Sequence, residues 1–550
     1  MTAAYFPITL YFLLRLKDKQ SISNMLLFAL FLGFQLQRAH VQIAYYACML
    51  LGSFFVYALF QNKNRKFASF FCVGLIIAFL IAAHIYIPSL DYRAMSIRSG
   101  DMGSFAYATN WSMHPKELLT YIMPNYFGFG GSSYSGFMPF TDFPNYVGLF
   151  VLLFAFLSLK NLNKETIFFW SVLIISIFLS LGKYFEIFYQ FFYNYLPFFN
   201  SFRVPSMILI LSNFCLYILS AYGVKDVIEI FKNKFKDFKP ELIIFTFLIV
   251  SLVDIYRIDN RIINPDDDSG QQNQITSINN FESVFKQDET ISYLKDNLGL
   301  NRIYPAGSLF TDPKFKYHGI ESVGGYHPAK FGHYSELLKN SNNLLSIPVL
   351  QFLNVKYIIS SVEITHSKLI LEKETIFQSV NGMKNVYIYH LDLSNPRAWF
   401  VRDVIKEDQN LYNYLNASAF NPLKTAVVDN LENSRYSVGK ILNIDWDTEK
   451  IIIDYEAQEK GILVLSEIYY PERWKAYIDN EEVEVLKANG VLRAVEIEAG
   501  ANKIIFKYDN SLFKILHTIS NLVVLFICIY LLHPKVMGLL KNLRETNFNP

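Results

Sequence analysis

FKILHTISNLVVLFICIYLL (Phe513–Leu532) is an apolar run of membrane-span length, and it follows directly on a long stretch written for water. A helix that crosses a bilayer needs roughly 20 mainly apolar residues, and this run supplies them. The basic residues Lys535, Lys541 and Arg544 come next, as expected of a helix end held on the cytoplasmic side. Upstream, residues 256–511 carry the polarity of a water-soluble protein. Residues 1–255 read instead as apolar, aromatic-rich helices broken by short basic loops. The chain is therefore read as an integral membrane protein with a large folded domain on one face of the bilayer. Its composition agrees: 52% hydrophobic and 17% aromatic residues exceed what an ordinary soluble domain uses.

The apolar runs place spans at 1–15, 22–36, 41–60, 67–89, 143–159, 166–182, 204–222, 241–256 and 513–533. Residues 1–256 thus form a transmembrane domain of about eight spans, and 534–550 a cytoplasmic tail. Lysine and arginine in the short loops set the orientation. Arg15, Lys17 and Lys19 follow the first span. Lys63, Arg65 and Lys66 follow the third, Lys160 and Lys164 the fifth, and Lys225, Lys232, Lys234, Lys236 and Lys239 the seventh. Every second loop is basic. The opposite, extracytoplasmic face then holds 37–40, 91–142, 183–203 and all of 257–512. The same bookkeeping puts Met1 outside, and no basic leader or small-residue cleavage site marks a signal peptide.

Within the extracytoplasmic part, Asp266, Asp267, Asp268, Ser269 and Gly270 belong to a polar linker. An α/β region, 257–435, follows the membrane domain. Thr290–Asn297 is predicted as a helix; NVKYIISS (Asn354–Ser361) and NVYIYHL (Asn385–Leu391) are predicted as strands. From 436 to 512 the pattern becomes short alternating runs: Lys450–Tyr455, Gly461–Ile468, Trp474–Ile478, Glu482–Leu486, Val491–Ile497 and Lys503–Tyr508. Asp479-Asn480 and Gly500-Ala501-Asn502 are turn signals between them. This predicts a small antiparallel β-sandwich.

The net charge of +2 gives no sign of a nucleic-acid partner. Cys48, Cys72, Cys215 and Cys528 all lie in apolar runs, so they build neither a disulfide framework nor a zinc site. No Gly-rich phosphate loop, metal-ligand cluster or nucleophile elbow stands out. Three polar clusters remain at the outer ends of the spans. Gln37, Arg38, His40 and Gln42 form either an ordinary interfacial turn or a contact to an anionic head group. The loop 91–142 carries Asp91, Arg93, Arg98, Asp101, His114, Lys116, Glu117 and Asp142. Carboxylate beside arginine is what a phosphosugar site needs: a base or a ligand for a divalent cation, and an anion clamp. It is also what any solvated loop contains. In the third cluster, EIFYQFFYNYLPFF (Glu186–Phe199) is predicted as a helix lying in the interface. Arg203 follows it, placed to grip a lipid phosphate or simply to snorkel. In the sandwich, Trp474, Tyr469 and Tyr470 are either core packing or a sugar-stacking platform.

HVQIAYY (His40–Tyr46), YIMPNYFG (Tyr121–Gly128), FRVPSM (Phe202–Met207), VGGYHPAKFGHYSEL (Val323–Leu337), LNVKYII (Leu353–Ile359) and SEIYYPERWKAYIDNEEVEVLKANGVLRAVEIEAG (Ser466–Gly500) together resemble the bacterial YfhO family of multispanning membrane proteins. The resemblance implies a polytopic α-helical protein of GT-C glycosyltransferase type. Such enzymes take a sugar from a polyprenyl-phosphate carrier and pass it to a cell-envelope glycan on the outer face, teichoic acid being one family-level acceptor. The family is longer at its N-terminus, and GT-C enzymes carry their catalytic acid in the first outer loop. This chain is expected to lack those leading helices, so the acid maps to no position here. Asp91 and Asp101 are the acidic candidates present. Arg38, His40, Gln42, Arg93, Arg98 and Arg203 are the candidates for lipid-phosphate or sugar contacts. Met207 stands where some relatives have a second basic residue, which leaves Arg203 alone. Two rivals remain: a non-catalytic glycan-binding or assembly component anchored in the membrane, and a transporter of lipid-linked sugar. The second predicts ionisable residues deep in the spans, and few are there.

Overall fold

In the computed structural model, residues 2–38, 40–61, 63–97, 104–234, 239–263, 278–327, 329–500 and 502–546 are described, with 278–280 and 534–546 as backbone alone. The chain forms two compact units. One comprises Met1–Leu90, Gly100–Ile275 and Leu512–Pro550, and the other Asp91–Ser99 and Thr276–Ser511.

The first unit is helical, because each apolar run satisfies its own backbone only by coiling when no water is at hand. Helices Val41–Gln61, Arg65–Met95, Pro205–Lys234 and Ser511–His533 are each long and apolar enough to cross a membrane. Phe6–Asp18, Ile22–Gln37, Leu149–Leu157 and Pro240–Ile263 lie among them. Helix starts follow local chemistry. The Ser21 hydroxyl accepts from the Asn24 amide at 3.2 Å. Asn163 and Thr166 form a reciprocal capping box at 2.8–2.9 Å. The span expected over 143–159 coils only from Leu149. Its first amide is held at 2.8 Å by Asp254 of another helix, which also accepts from the Tyr146 hydroxyl. Lys164–Ser180 and Gly182–Tyr195 meet at a 109° bend.

Association of these helices rests on packing and a few buried polar contacts, since lipid offers no hydrophobic drive between them. Phe55 and Phe71 stack with centroids 4.1 Å apart. Gln35, fully buried, accepts from Thr9 at 3.2 Å and donates to the Thr2 carbonyl. Gln37 and Ser520 both bond the Ile81 carbonyl, at 2.9 and 2.6 Å, joining three helices. Phe60, Ile76, Leu252, Val253 and Phe526 stay exposed, as lipid-facing side chains do.

Among the described residues the second unit contains three sheets. In the first, Arg302–Pro305 pairs in parallel with Val355–Ser360, which continues antiparallel into Gly382–Leu391 and Leu369–Ser379. Helix Glu289–Asn297 packs on it, capped by Asp288 at 2.9 Å. The other two sheets form the sandwich. One runs Glu481–Val483, Trp474–Ile478, Lys503–Tyr508, Lys450–Glu456 and Lys440–Trp446. The other has seven strands, with Gly461–Ile468 between Ala398–Val401 and Leu492–Ile497. Phe400, Tyr455, Leu463, Val495, Ile504 and Phe506 fill the space between them. The pattern-based boundary at 436 needs correction, because Ala398–Val401, Asp403–Lys406 and Thr425–Val428 already belong to the seven-stranded sheet. Ala398–Val401 is buried throughout, so it lacks the alternation by which a half-exposed strand is recognised. Asp403–Lys406 and Thr425–Val428 pair in parallel, the one parallel pair among the described strands of that sheet.

Candidate functional site

Gln42 sits in the first turn of Val41–Gln61. Its amide donates to the Arg203 carbonyl at 2.6 Å and to the Tyr46 hydroxyl at 2.8 Å. This joins two of the sequence candidates that lie far apart in the chain. Arg203 stands two residues before Pro205, which lacks an N–H and fixes where the next helix can begin. Between them Val204 is held at φ 62°, a left-handed conformation that a β-branched side chain resists. Trp111 and Phe198 share that conformation, at φ 58° and 63°. Each such residue costs of order 1–3 kcal/mol and persists only where its surroundings enforce it. The surroundings here are specific. The Ser206 amide donates to the Trp111 carbonyl at 3.4 Å, the Tyr45 hydroxyl donates to the Pro197 carbonyl at 2.7 Å, and Tyr45 packs on Phe202 at 5.0 Å.

The result is a half-buried guanidinium between two aromatic rings. The Arg203 guanidinium carbon lies 5.5 Å from the Tyr107 ring centroid and 5.8 Å from that of Trp111. No carboxylate is paired with it among the described residues. Aromatic faces stabilise a cation without neutralising it, so the planar fork keeps its charge and donors for an anion. Tyr107 and Trp111 were not singled out in the sequence; the Tyr-Ala-Thr-Asn-Trp spacing (Tyr107–Trp111) beside a helical turn was the only signal available.

The other candidates are distributed as follows. Arg38, exposed, lies 5.8 Å from the Tyr5 ring. His40, also exposed, accepts from the Ile43 amide at 3.4 Å and so serves the start of its helix. Asp91 and Arg93 belong to the second unit. There Asp91 is ion-paired with Arg473, which occupies the carboxylate expected to be available as a base. Arg98 and Asp101 lie outside the described residues. Glu117 is 2% exposed, and its carboxylate accepts from the Tyr134 hydroxyl and the Phe137 and Met138 amides. Those bonds fold the loop 127–138 around it. Among the described residues no group of three His, Cys, Asp or Glu could hold a divalent cation. Trp474 has one face taken by the Arg493 guanidinium, 4.1 Å from its ring, and meets Tyr508 in an edge contact.

Among solved structures, the arabinofuranosyltransferase AftD from Mycobacteria is similar at 9% identity and a TM-score of 0.42, over 88% of this chain and 45% of that one. A mutant of the same enzyme aligns at 10% identity and a TM-score of 0.42, over 92% and 49%. The chain therefore spans about half the length of those structures. No curated protein matches it. The segment that carried the family resemblance most specifically has a match of its own: residues 415–520 of this membrane protein match the family described as bacterial membrane protein YfhO.

Proposed function

We propose that the chain acts as a membrane glycosyltransferase of GT-C type, taking a sugar from a polyprenyl-phosphate carrier and passing it to a cell-envelope glycan. The family match supports a membrane protein of this kind. The observation that carries the reading further is the Arg203 cradle: Gln42 holds its backbone carbonyl, and its guanidinium, with no carboxylate partner among the described residues, lies near the Tyr107 and Trp111 rings. In the reaction the bond between the anomeric carbon and the carrier phosphate oxygen breaks. A bond from the same carbon to an acceptor hydroxyl oxygen forms, and the hydroxyl proton passes to a carboxylate base. Arg203 stabilises the charge that collects on the departing phosphate. Arg38 and His40, at the same helix boundary as Gln42, contact the carrier head group. Asp101 is the acidic candidate for the base.

The test is transfer from radiolabelled polyprenyl-phosphate sugars by the full chain reconstituted in liposomes. Arg203→Ala is expected to lower kcat/KM on the order of 100-fold, the effect of losing one preorganised donor to a developing anion. Arg203→Lys keeps the charge but not the fork and is expected to recover only part of it. Equal rates in all three proteins would remove Arg203 from the reaction. Glycan binding with no transfer would assign the chain to the non-catalytic reading.

The reading also places the second unit on the extracytoplasmic face of the cytoplasmic membrane. In a cysteine-free background, Ser361→Cys is expected to react with a membrane-impermeant maleimide in intact cells. Asn161→Cys, in a basic loop, is expected to react only after lysis. The reverse pattern inverts the orientation.

A further inference from the structure

The second unit holds a cavity of about 850 Å³, within the 300–1,000 Å³ typical of small-molecule sites. It lies between helices Gly332–Asn340, Ile347–Phe352 and Leu411–Asn416 and the loops that follow them. Five side-chain amides line its wall among apolar residues: Asn340, Asn342, Gln351, Asn416 and Asn421. Most of them are fixed at one end. Asn416 donates to the Asn340 and Tyr412 carbonyls at 2.9 and 2.7 Å. Gln351 donates to the Ser394 carbonyl at 2.8 Å, and Asn340 to the Glu336 carbonyl at 2.9 Å. Their carbonyl ends remain as acceptors. Asn421 is held the other way, accepting from the Leu423 amide at 3.1 Å, so its two N–H donors remain.

Two serines of the wall, Ser341, 1% exposed, and Ser346, have buried oxygens with no hydrogen-bond partner among the described residues. Buried polar atoms without partners are rare and costly, and here two occur five residues apart in one loop. Between them Asn342, Asn343 and Leu344 take consecutive left-handed conformations, at φ 44°, 54° and 68°. Asparagine tolerates that region and leucine does not. Among the described residues the wall carries no carboxylate, and its basic side chains are Lys368 and His366. Phe420 adds a half-buried aromatic ring.

We infer that this cavity binds a neutral oligosaccharide. A sugar hydroxyl donates and accepts at once, and so matches preset amide carbonyls and amide donors on one wall. The apolar face of a pyranose or furanose ring suits Phe420. A polyanion would need more than Lys368 and His366, and a cation would need an acid. The inference is independent of the role given to Arg203.

The experiment uses the full chain in lipid nanodiscs, free of sugar-headed detergent, on an array of neutral di- to tetrasaccharides, with an immobilised peptide array alongside. Binding is expected to one glycan class. Ala419→Trp, a change at an exposed wall position, is expected to weaken it at least about tenfold. Asn421→Asp, which keeps the acceptor for the Leu423 amide but removes both side-chain donors, is expected to weaken it about fivefold. Absence of glycan binding, binding unchanged in either variant, or binding to peptides instead would overturn the proposal.

Discussion

Replacing Glu467 by alanine is expected to destabilise the second unit by about 3–5 kcal/mol, the effect of breaking a buried charge pair from one side. Glu467 lies on the inner strand Gly461–Ile468, second in its sheet, and its carboxylate is shared. Arg302 donates to it at 2.9 Å, and Arg397 reaches it through both Nε, at 2.9 Å, and Nη2. Glu321 is the second acid, 2.8 Å from Arg397 and 3.4 Å from Arg302. Arg493 completes the group, bonded to the Ile468 carbonyl at 2.9 Å. Burial pushes its guanidinium down to about 10. Three guanidiniums thus face two carboxylates, and removing Glu467 leaves the excess unanswered. Burial alone would push the Glu467 carboxyl up, but Arg302, Arg397 and Arg493 outweigh it and hold it below the ordinary carboxylate range. Its folded value is therefore below its unfolded value of about 4.3. The stabilisation is present above the unfolded value and is lost as pH falls through the folded one. Hydrogen exchange of the Leu463–Leu465 amides in the full chain reads this directly. The expected result is protection that collapses in Glu467→Ala at neutral pH. In the parent chain it should erode only below about pH 4.3. Unchanged protection in Glu467→Ala would show that the pair contributes nothing.

That network also marks where sequence reading stops. The apolar runs predict nine spans; among the described residues four helices are long and apolar enough to cross a membrane, and these were legible because a span announces itself over roughly 20 residues. The sandwich strands were legible because Lys450–Glu456 alternates exposed and buried positions along its length. Leu369–Ser379 was not, since its charged residues Glu372, Lys373 and Glu374 hide a strand that buries only Thr375, Phe377 and Ser379. Glu482–Leu486 was read as one strand and is two, Glu481–Val483 and Leu486–Ala488, which pair in different sheets. Contacts such as Gln42 with Arg203, or Arg302 with Glu467, leave no local trace. Each depends on a backbone turn, Val204 in the first case, or on sheets meeting over a long sequence separation. The candidate site was accordingly half visible: Gln42 and Arg203 could be named, but not their meeting, nor the part of Tyr107 and Trp111. The amide-lined cavity was not visible at all, because asparagines scattered from 340 to 421 look like ordinary surface until the fold gathers them.

Gly223→Ala is expected to destabilise the helical unit by about 3 kcal/mol, the upper part of the range for an overpacked core. Helix propensity alone argues the opposite, since alanine in mid-helix is favoured over glycine by about 1 kcal/mol. Contact geometry decides the sign. A Cβ at Gly223 would stand 1.8 Å from the carbonyl oxygen of Phe154 and 2.7 Å from its carbonyl carbon. Those are backbone atoms of Leu149–Leu157, so no rotamer change relieves the clash and one helix must move off the other. This is the close approach that small residues permit between helices in lipid. Gly52, within Val41–Gln61, is the internal control, because a Cβ there would meet nothing within 4 Å. Gly52→Ala should leave thermal unfolding in detergent unchanged or raise its midpoint, while Gly223→Ala lowers it. Equal behaviour of the two variants would mean that Leu149–Leu157 and Leu209–Lys234 do not pack through Gly223. The unit would then owe its cohesion to side-chain interdigitation elsewhere, such as the Phe28, Phe55 and Phe71 stack.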